Sequence, residues 1–253
     1  MRIIIICIIS LLSLASCSKK YIQVATVKSN ILQNDTLLRY ENDTFEIVYN
    51  LFSENGLLAF TIYNKSNVPL YIDWKRSAFI KGTEKFAYWE DKSNIYTVTE
   101  GSSVRWLRNY SSNRNYSTSV ITTPEQITFI PPKTAISMAR YSLSSSVWRN
   151  GLSEDTIASS LKKGNTKVWR KSFDASTSPF AFRNFLTLSQ KHDFSTEFYI
   201  DHSFWVSDIM KIHDKEFGGS LIITNTNEYG RDLYDYSFPY RKPNTYYTDI
   251  YNN

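Results

Sequence analysis

The chain has 253 residues, and its 29 Lys and Arg residues against 24 Asp and Glu residues give a formal net charge of +5 at pH 7. The two signs are mixed along the chain, which favours a mildly basic solvated surface and argues against a nucleic-acid partner. Aromatic residues make up 15% of the chain and only 8 residues are Gly, a composition that favours β structure.

The first residues have the pattern of a secretory signal. Arg2 is followed by an apolar stretch over 3–16, which is shorter than a membrane-spanning helix of about 20 residues. The stretch ends in Leu14-Ala15-Ser16-Cys17, which resembles the lipobox of bacterial lipoproteins. That resemblance implies that residues 1–16 are a lipoprotein signal peptide and that Cys17 becomes the lipidated first residue of the mature chain.

A lipidated Cys17 leaves the mature chain without a free thiol. The sequence has two cysteines, of which Cys7 leaves with the signal and Cys17 is blocked by lipid. Disulfides, thiolate zinc sites and cysteine nucleophiles are then excluded together. The acyl chains are expected to hold the protein on the outer membrane of the cell envelope. The absence of an acidic cluster after Cys17 favours the periplasmic face over the cell surface.

The next part of the chain changes from polar to strand-like. Residues 17–36 are predicted to form a flexible tether, and residues 37–253 a single elaborated β-sandwich domain with insertions at about 92–126 and 142–181. Period-two alternation and turn residues predict strands over 44–50, 57–63 and 68–74, followed by a hairpin over 77–89. Asn55-Gly56 is a strong hairpin signal between the first two of these strands.

The second half contains a sheet crossing, a helix signal and three further strands. A strand over 127–130 stops at Pro131-Pro132 and resumes over 135–141, which is how a sandwich chain crosses from one sheet to the other. Acidic residues after Ser153 and basic residues before Gly164 predict a short helix. Strands are predicted over 182–188, 198–200 and 204–212, and the tail after Gly230 is predicted to be irregular.

These elements predict a mainly all-β fold, an antiparallel immunoglobulin-like β-sandwich with long insertions and one short helix. The segments Phe60–Ser66, Pro69–Ile72 and Ile130–Pro132 are similar to domains of uncharacterised lipoproteins of the Bacteroidetes. The resemblance covers residues 44–141, and more loosely 180–213, and it implies no known activity. Asp35-Thr36-Leu37 and Asp155-Thr156-Ile157 also resemble the O-glycosylation site of exported proteins from some of these bacteria.

The candidates for chemistry are few. His192, His202 and His213 each have an adjacent Asp, but their spacings fit no metal-binding motif. Neighbouring residues on a strand point to opposite faces, so surface histidines are favoured over a catalytic His-Asp pair. No serine-nucleophile or phosphate-loop motif is present. No catalytic residue, metal ligand or cofactor is therefore predicted.

Two other segments carry candidate binding residues. The polar run over 73–77 could line a site, although a strand end at which Trp74 packs is the favoured interpretation. The excursion over 92–126 interleaves arginines with aromatic rings, which can stack on sugars or grip an anion. This predicted ligand-binding set is Arg105, Trp106, Arg108, Tyr110, Arg114 and Tyr116.

The sequence therefore favours a lipid-anchored protein of the cell envelope that binds or scaffolds a partner and is not an enzyme. Its expected partners are the membrane, through the lipid on Cys17, and an unidentified envelope protein or glycan. A carbohydrate-binding accessory lipoprotein and an envelope hydrolase with a His-Asp pair are the alternatives. The fold alone cannot choose among them, because one fold serves many functions.

Overall fold

The computed structural model describes residues 20–33, 36–90, 94–107, 110–122, 125–143, 151–158, 165–218, 221–226, 228–236 and 239–251. These ranges contain eighteen strands and one short helix, α1 (Asp214–Phe217). The strands are β1 (Lys20–Ser29), β2 (Leu32–Gln33), β3 (Leu37–Glu41), β4 (Phe45–Tyr49), β5 (Leu57–Asn64), β6 (Leu70–Lys81), β7 (Glu84–Ala87), β8 (Asn94–Leu107), β9 (Tyr110–Thr122), β10 (Ile127–Ile130), β11 (Ala135–Ser142), β12 (Ser153–Ala158), β13 (Asn165–Ser172), β14 (Ala181–Ser189), β15 (Glu197–His213), β16 (Leu221–Thr226), β17 (Asp232–Tyr236) and β18 (Thr245–Tyr251).

Two sheets make up the body of the protein. The nine-stranded sheet A has the order β10-β6-β14-β15-β1-β18, with β7 beside β6, β13 beside β15 and β12 beside β13. The five-stranded sheet B has the order β11-β5-β4-β3-β2, and two ribbons, β8-β9 and β16-β17, form separate sheets. Every ladder between these strands is antiparallel.

The two sheets bury a shared core. Alternate residues of β4 and β5 are buried, so one face of sheet B is covered. The ring of Tyr49 on β4 lies 4.9 Å from that of Phe204 on β15, and Phe45 stacks on Phe198 at 5.7 Å. Each large side chain buried in this way contributes about 1.5–3 kcal/mol. The prediction of an all-β antiparallel sandwich is confirmed.

The chain crosses between the sheets at the predicted place. β10 pairs with β6 in sheet A, and β11 pairs with β5 in sheet B. Between them lie Pro131 and Pro132, which have no N–H to continue the ladder, and Lys133, whose φ of 59° turns the chain. The side chain of Asn64 closes this corner, because its Nδ2 donates to the carbonyl oxygens of Val68 and Ile130 at 2.8 and 3.1 Å.

The predicted tether over 17–36 is wrong for residues 20–33, which form β1 and β2. β1 lies between β15 and β18, with Tyr21 opposite both His213 and Ile250. Its side chains from Ile22 to Ala25 are all buried, because Ala25 packs in the main core on one face and Ile22 and Val24 pack in a second apolar cluster on the other. Buried polar side chains within this strand hide its apolar pattern in the sequence.

The helix predicted between Ser153 and Gly164 is also wrong. Residues 153–158 form β12, which pairs with β13, and the Ser153 hydroxyl donates to the Arg170 carbonyl oxygen at 3.1 Å. The helix signals are mainly end signals, with only Ile157 and Leu161 as large apolar residues between them. Pairing with a strand already held in sheet A prevails over them. Residues 159–164 lie outside the described ranges. The one described helix is α1, at the end of β15.

The tail after Gly230 is more regular than predicted, because it includes β17 and β18. β18 is the edge strand of sheet A, and Tyr246 is buried in the core. Tyr246 also limits which residue fits at position 56 in the loop between β4 and β5, which contains Asn55-Gly56. A Cβ on Gly56 would lie 2.8 Å from Tyr246 Cγ, and Gly56 has a φ of +63°.

Candidate functional site

The three histidines lie in separate environments. The Nδ1 of His213 accepts from the backbone N–H of Lys215 at 3.3 Å and caps α1. His192 packs edge-on against Tyr71 at 5.5 Å. His202 faces the interior of the sandwich and is only 4% exposed. His202 and His213 are about 35 Å apart along β15 at 3.3 Å per residue, so these two cannot share a site.

His202 ends a chain of four buried polar side chains. Tyr88 Oη donates to Asn184 Oδ1 at 2.7 Å, and Asn184 Nδ2 donates to Tyr49 Oη at 2.9 Å. Tyr49 Oη lies 2.8 Å from His202 Nδ1. The Tyr49 hydroxyl proton has no acceptor other than this nitrogen among the described residues, so it is donated to Nδ1. His202 therefore carries its own proton on Nε2.

The four side chains of this hydrogen-bond chain are uncharged at neutral pH. Burial lowers the pKa of His202 to about 4, against a weaker opposing attraction from Asp201. Burial also raises the pKa values of the Tyr49 and Tyr88 hydroxyls. A histidine with so low a pKa is a poor general base near neutral pH. His202 is instead a fixed N–H donor, aligned by the groups behind it.

An open cavity of about 490 Å³ lies in front of His202. It forms where β1 ends opposite Phe204 and the chain turns at Asn30 and Ile31 toward sheet B, while residues 197–203 of β15 continue past β1. His202 Nε2 has no hydrogen-bond partner among the described residues and is not a fully buried atom. His202 is thus a lining residue of this cavity whose Nε2 is not committed to another described side chain.

The rim of the cavity carries charges of both signs. Arg39 Nε lies 2.7 Å from Glu46 Oε1, and Arg39 Nη2 lies 2.7 Å from Glu41 Oε2. Lys65 Nζ is 2.5 Å from the other oxygen of Glu41, and the Lys65 hydrogen bond lowers the pKa of that carboxyl. The Tyr40 ring packs 5.0 Å from the His202 ring. The cavity thus offers paired charges and an aromatic wall to a polar ligand.

The adjacent Asp201 does not form a catalytic pair with His202. Arg183 Nε donates to Asp201 Oδ1 at 2.8 Å, and a second guanidinium nitrogen of Arg183 pairs with Oδ2. Asp201 is exposed whereas His202 is buried, which is the alternation expected of neighbours on a strand. The group that contacts His202 Nδ1 is the Tyr49 hydroxyl, which Asn184 holds in turn, and neither residue is a carboxylate.

The predicted ligand-binding set lies along the β8-β9 hairpin. Arg105 is opposite Ser111, and Arg114 is opposite Ser102 in the ladder. Trp106 is at the irregularity where the register shifts. The remaining members are Tyr110 at the start of β9, Tyr116 opposite Glu100, and Arg108, which lies outside the described residues. The described part of the excursion over 92–126 is therefore a long antiparallel ribbon, in which Gly101 is paired with Asn115.

The polar run over 73–77 is a structured bend within β6. Trp74 is 5% exposed and its Nε1 donates to Thr128 Oγ1 at 2.8 Å, so the prediction that it packs is confirmed. Asp73 is also buried and accepts from the backbone N–H groups of Lys75 and Arg76 at 3.0 and 3.2 Å. These hydrogen bonds occupy the Asp73 carboxylate and stabilise the bend.

Comparisons with protein-family models, with curated proteins and with solved structures gave no match to this chain. Across the residues that the structure describes, no three His, Cys, Asp or Glu side chains converge as metal ligands do. None of the helical structure in these ranges has the length and apolarity of a membrane-spanning helix. Cys17 and residues 1–16 lie outside the described ranges.

Few signals in the sequence indicate the cavity. The favoured surface position is wrong for His202, which is buried, and its partners Tyr49 and Asn184 are 153 and 18 residues away along the chain. Arg39 and Glu41 read as ordinary surface charges of a strand. Only the pairing of β14 with β15, and the packing of sheet B on sheet A, bring these groups together.

Proposed function

We propose that the protein is a lipid-anchored component of the cell envelope whose sandwich binds a partner and carries out no chemistry. The Leu-Ala-Ser-Cys sequence before Ser18 supports the anchor, with the periplasmic face of the outer membrane as the favoured location. The observation that carries the binding role is the open cavity with His202 at its inner wall. A neutral, aligned N–H donor suits recognition, whereas general-base catalysis needs a pKa near the working pH.

The strand order supports an immunoglobulin-like frame for this binding role. In sheet B, β4, β5 and β11 lie side by side, and in sheet A the order is β15-β14-β6-β10. These orders match strands A-B-E and G-F-C-C′ of the immunoglobulin fold, without a strand D. β1 and β18 extend sheet A beyond the last of these strands. Such a frame presents loops and strand ends rigidly, which suits recognition.

Cell fractionation of two cysteine variants tests the proposed anchor. Wild-type protein is expected in the membrane fraction, and Cys17→Ala is expected in the soluble fraction, because stable anchoring depends on the acyl chains. Cys7→Ala is the matched control and should remain with the membranes. Protease added to intact and to lysed cells then shows which side the body faces. Membrane retention of Cys17→Ala would contradict the proposal.

A second candidate, carbohydrate binding, is favoured by the chemistry of the cavity. Glu41 supplies acceptors, His202 supplies a donor, and the Tyr199 ring is 56% exposed at the rim. A sugar has hydroxyl groups for these polar side chains and an apolar ring face for Tyr199, so it fits this cavity better than an ion does. A glycan array probed with the detergent-solubilised protein tests this. Binding should fall for Tyr199→Ala and persist for Phe129→Ala, a half-exposed ring three strands away.

A further inference from the structure

The start of β1 leaves almost no spacer between the proposed lipid and the folded body. Only Ser18 and Lys19 separate Cys17 from Lys20, the first residue of β1. Three Cα–Cα steps reach about 11 Å at most. Each headgroup layer of a bilayer is about 5–7 Å thick. If Cys17 carries the anchor, the end of sheet A that contains Lys20 must lie at or just above the headgroups.

The strand register identifies which residues share that end, here called the Lys20 end. Lys20 is opposite Tyr251 on β18, and the next residue of β1 is opposite His213, the last residue of β15. α1 follows His213 directly and lies beside β1. The other end of β15, at Glu197, is about 50 Å away along the strand. The His202 cavity lies toward that distant end.

A cluster of rings and one ammonium group occupies the Lys20 end. The rings of Tyr21 and Trp169 meet edge to face at 5.8 Å, and Tyr21 also meets His213 at 5.6 Å. Lys211 Nζ lies 4.4 Å from the centroid of Tyr21 and 5.2 Å from that of Trp169. Trp and Tyr are the residues that favour the membrane–water interface, since their rings are apolar with one polar edge.

A second cavity, of about 290 Å³, opens beside these rings, and Lys167 and Lys215 are among its lining residues, together with Glu216. Lys20 pairs with Asp249 at 2.7 Å, and Lys167 pairs with Glu154 at 3.0 Å. Lys215 is exposed, and its ammonium forms no ion pair with a described residue. A lysine in this position can contact a lipid phosphate without first losing an acidic partner.

The carboxylates at this end are largely occupied. Besides those two pairs, Asp214 Oδ1 accepts from the Lys215 backbone N–H at 2.8 Å, and Glu216 is buried and accepts from the Thr166 hydroxyl at 3.0 Å. Exposed and unpaired acidic charge would repel lipid phosphates, and these contacts reduce it. Rings, lysines and the short spacer therefore point to the same surface.

We infer that the Lys20 end, with Tyr21, Trp169 and Lys215, contacts the phospholipid headgroups of the membrane that holds the lipid on Cys17. This inference rests on the proposed anchor and adds an orientation to it. The long axis of β15 stands away from the bilayer, with the headgroups at Lys215. The His202 cavity is then held tens of ångströms from the membrane, on the side open to an envelope partner.

Site-specific fluorescence quenching tests the inference on the full-length lipidated protein. In separate variants, Lys215→Cys and Lys191→Cys are labelled with a thiol-reactive fluorophore. Both positions are exposed lysines, and Lys191 lies in the turn before β15, at the distant end. The labelled proteins are reconstituted in vesicles of phosphatidylethanolamine and phosphatidylglycerol, with a nitroxide on a fraction of the headgroups. Loss of fluorescence is expected at position 215 and not at position 191.

The outcomes separate this inference from the proposed anchor. If both proteins float with the vesicles and position 215 is quenched no more than position 191, the orientation is wrong and the anchor stands. If neither protein floats, the anchor fails and the inference fails with it. A second readout keeps Lys215 in place: nitroxide headgroups should quench part of the intrinsic tryptophan fluorescence of the wild type, and Trp169→Phe should lose that part. Equal quenching in Trp169→Phe overturns the inference.

Discussion

The buried, neutral state of His202 predicts a specific pH dependence of stability. The native pKa is about 4, whereas an unfolded histidine titrates near 6.5. Between these values the unfolded chain binds a proton that the native chain does not, so the free energy of unfolding decreases as the pH falls from 6.5 to 4. The difference of about 2.5 pKa units corresponds to about 3 kcal/mol. Above pH 6.5 the neutral His202 makes its full contribution to the free energy of unfolding, and that contribution no longer changes with pH.

Urea denaturation between pH 7.5 and 4.5, followed by tryptophan fluorescence, measures the effect. The free energy of unfolding of the wild type should fall more steeply over this range than that of His202→Gln, which has no titrating ring. Carboxylates with lowered pKa values, such as Glu197, lose their stabilising contribution as the pH falls through those values, and they do so equally in both proteins. His192→Gln is the matched control and should keep the wild-type slope. Equal slopes for wild type and His202→Gln would refute the reasoning.

Three further substitutions have expected magnitudes, each measured by the same denaturation assay at pH 7.5. Tyr49→Phe removes the hydroxyl that joins Asn184 to His202 and should cost about 1–3 kcal/mol, since both buried partners lose their hydrogen bond; a neutral result would mean that water replaces it. Gly56→Ala should cost about 1–3 kcal/mol because of its positive φ and the close ring of Tyr246, and unchanged stability would contradict the loop geometry. Arg183→Ala breaks an exposed ion pair and should change stability by less than about 1 kcal/mol; a larger loss would show that the pair is coupled to the core.

The parts of the fold that could be predicted from sequence are those with local signals. Alternation located β4 and β5, and Pro131-Pro132 located the crossing between the sheets, because both signals act within a few residues. β1 is not predicted from the sequence, since an interior strand that buries Gln23 and Ser29 among its apolar residues has no clean period. The helix expected after Ser153 shows the opposite error. Its end signals are local and predict a helix, but the segment forms β12 because it pairs with β13.

Less of the candidate site than of the fold could be predicted from the sequence. A single histidine beside an aspartate carries no information on whether its ring is buried, and here strand alternation separates Asp201 from His202. The hydrogen-bond chain through Tyr49 and Asn184 depends on the packing of two sheets, so no spacing in the sequence encodes it. The aromatic and basic surface at the Lys20 end likewise combines residues of β1, β13 and β15.

The measurement that tests the central claim most directly is mass spectrometry of the N-terminal peptide of the mature protein purified from membranes. A lipid-anchored protein should give a peptide that begins at Cys17 and carries diacylglycerol on its sulfur, with or without an acyl group on its amine. A mature chain that begins elsewhere, or an unmodified Cys17 thiol, would contradict the anchor and the membrane orientation that rests on it.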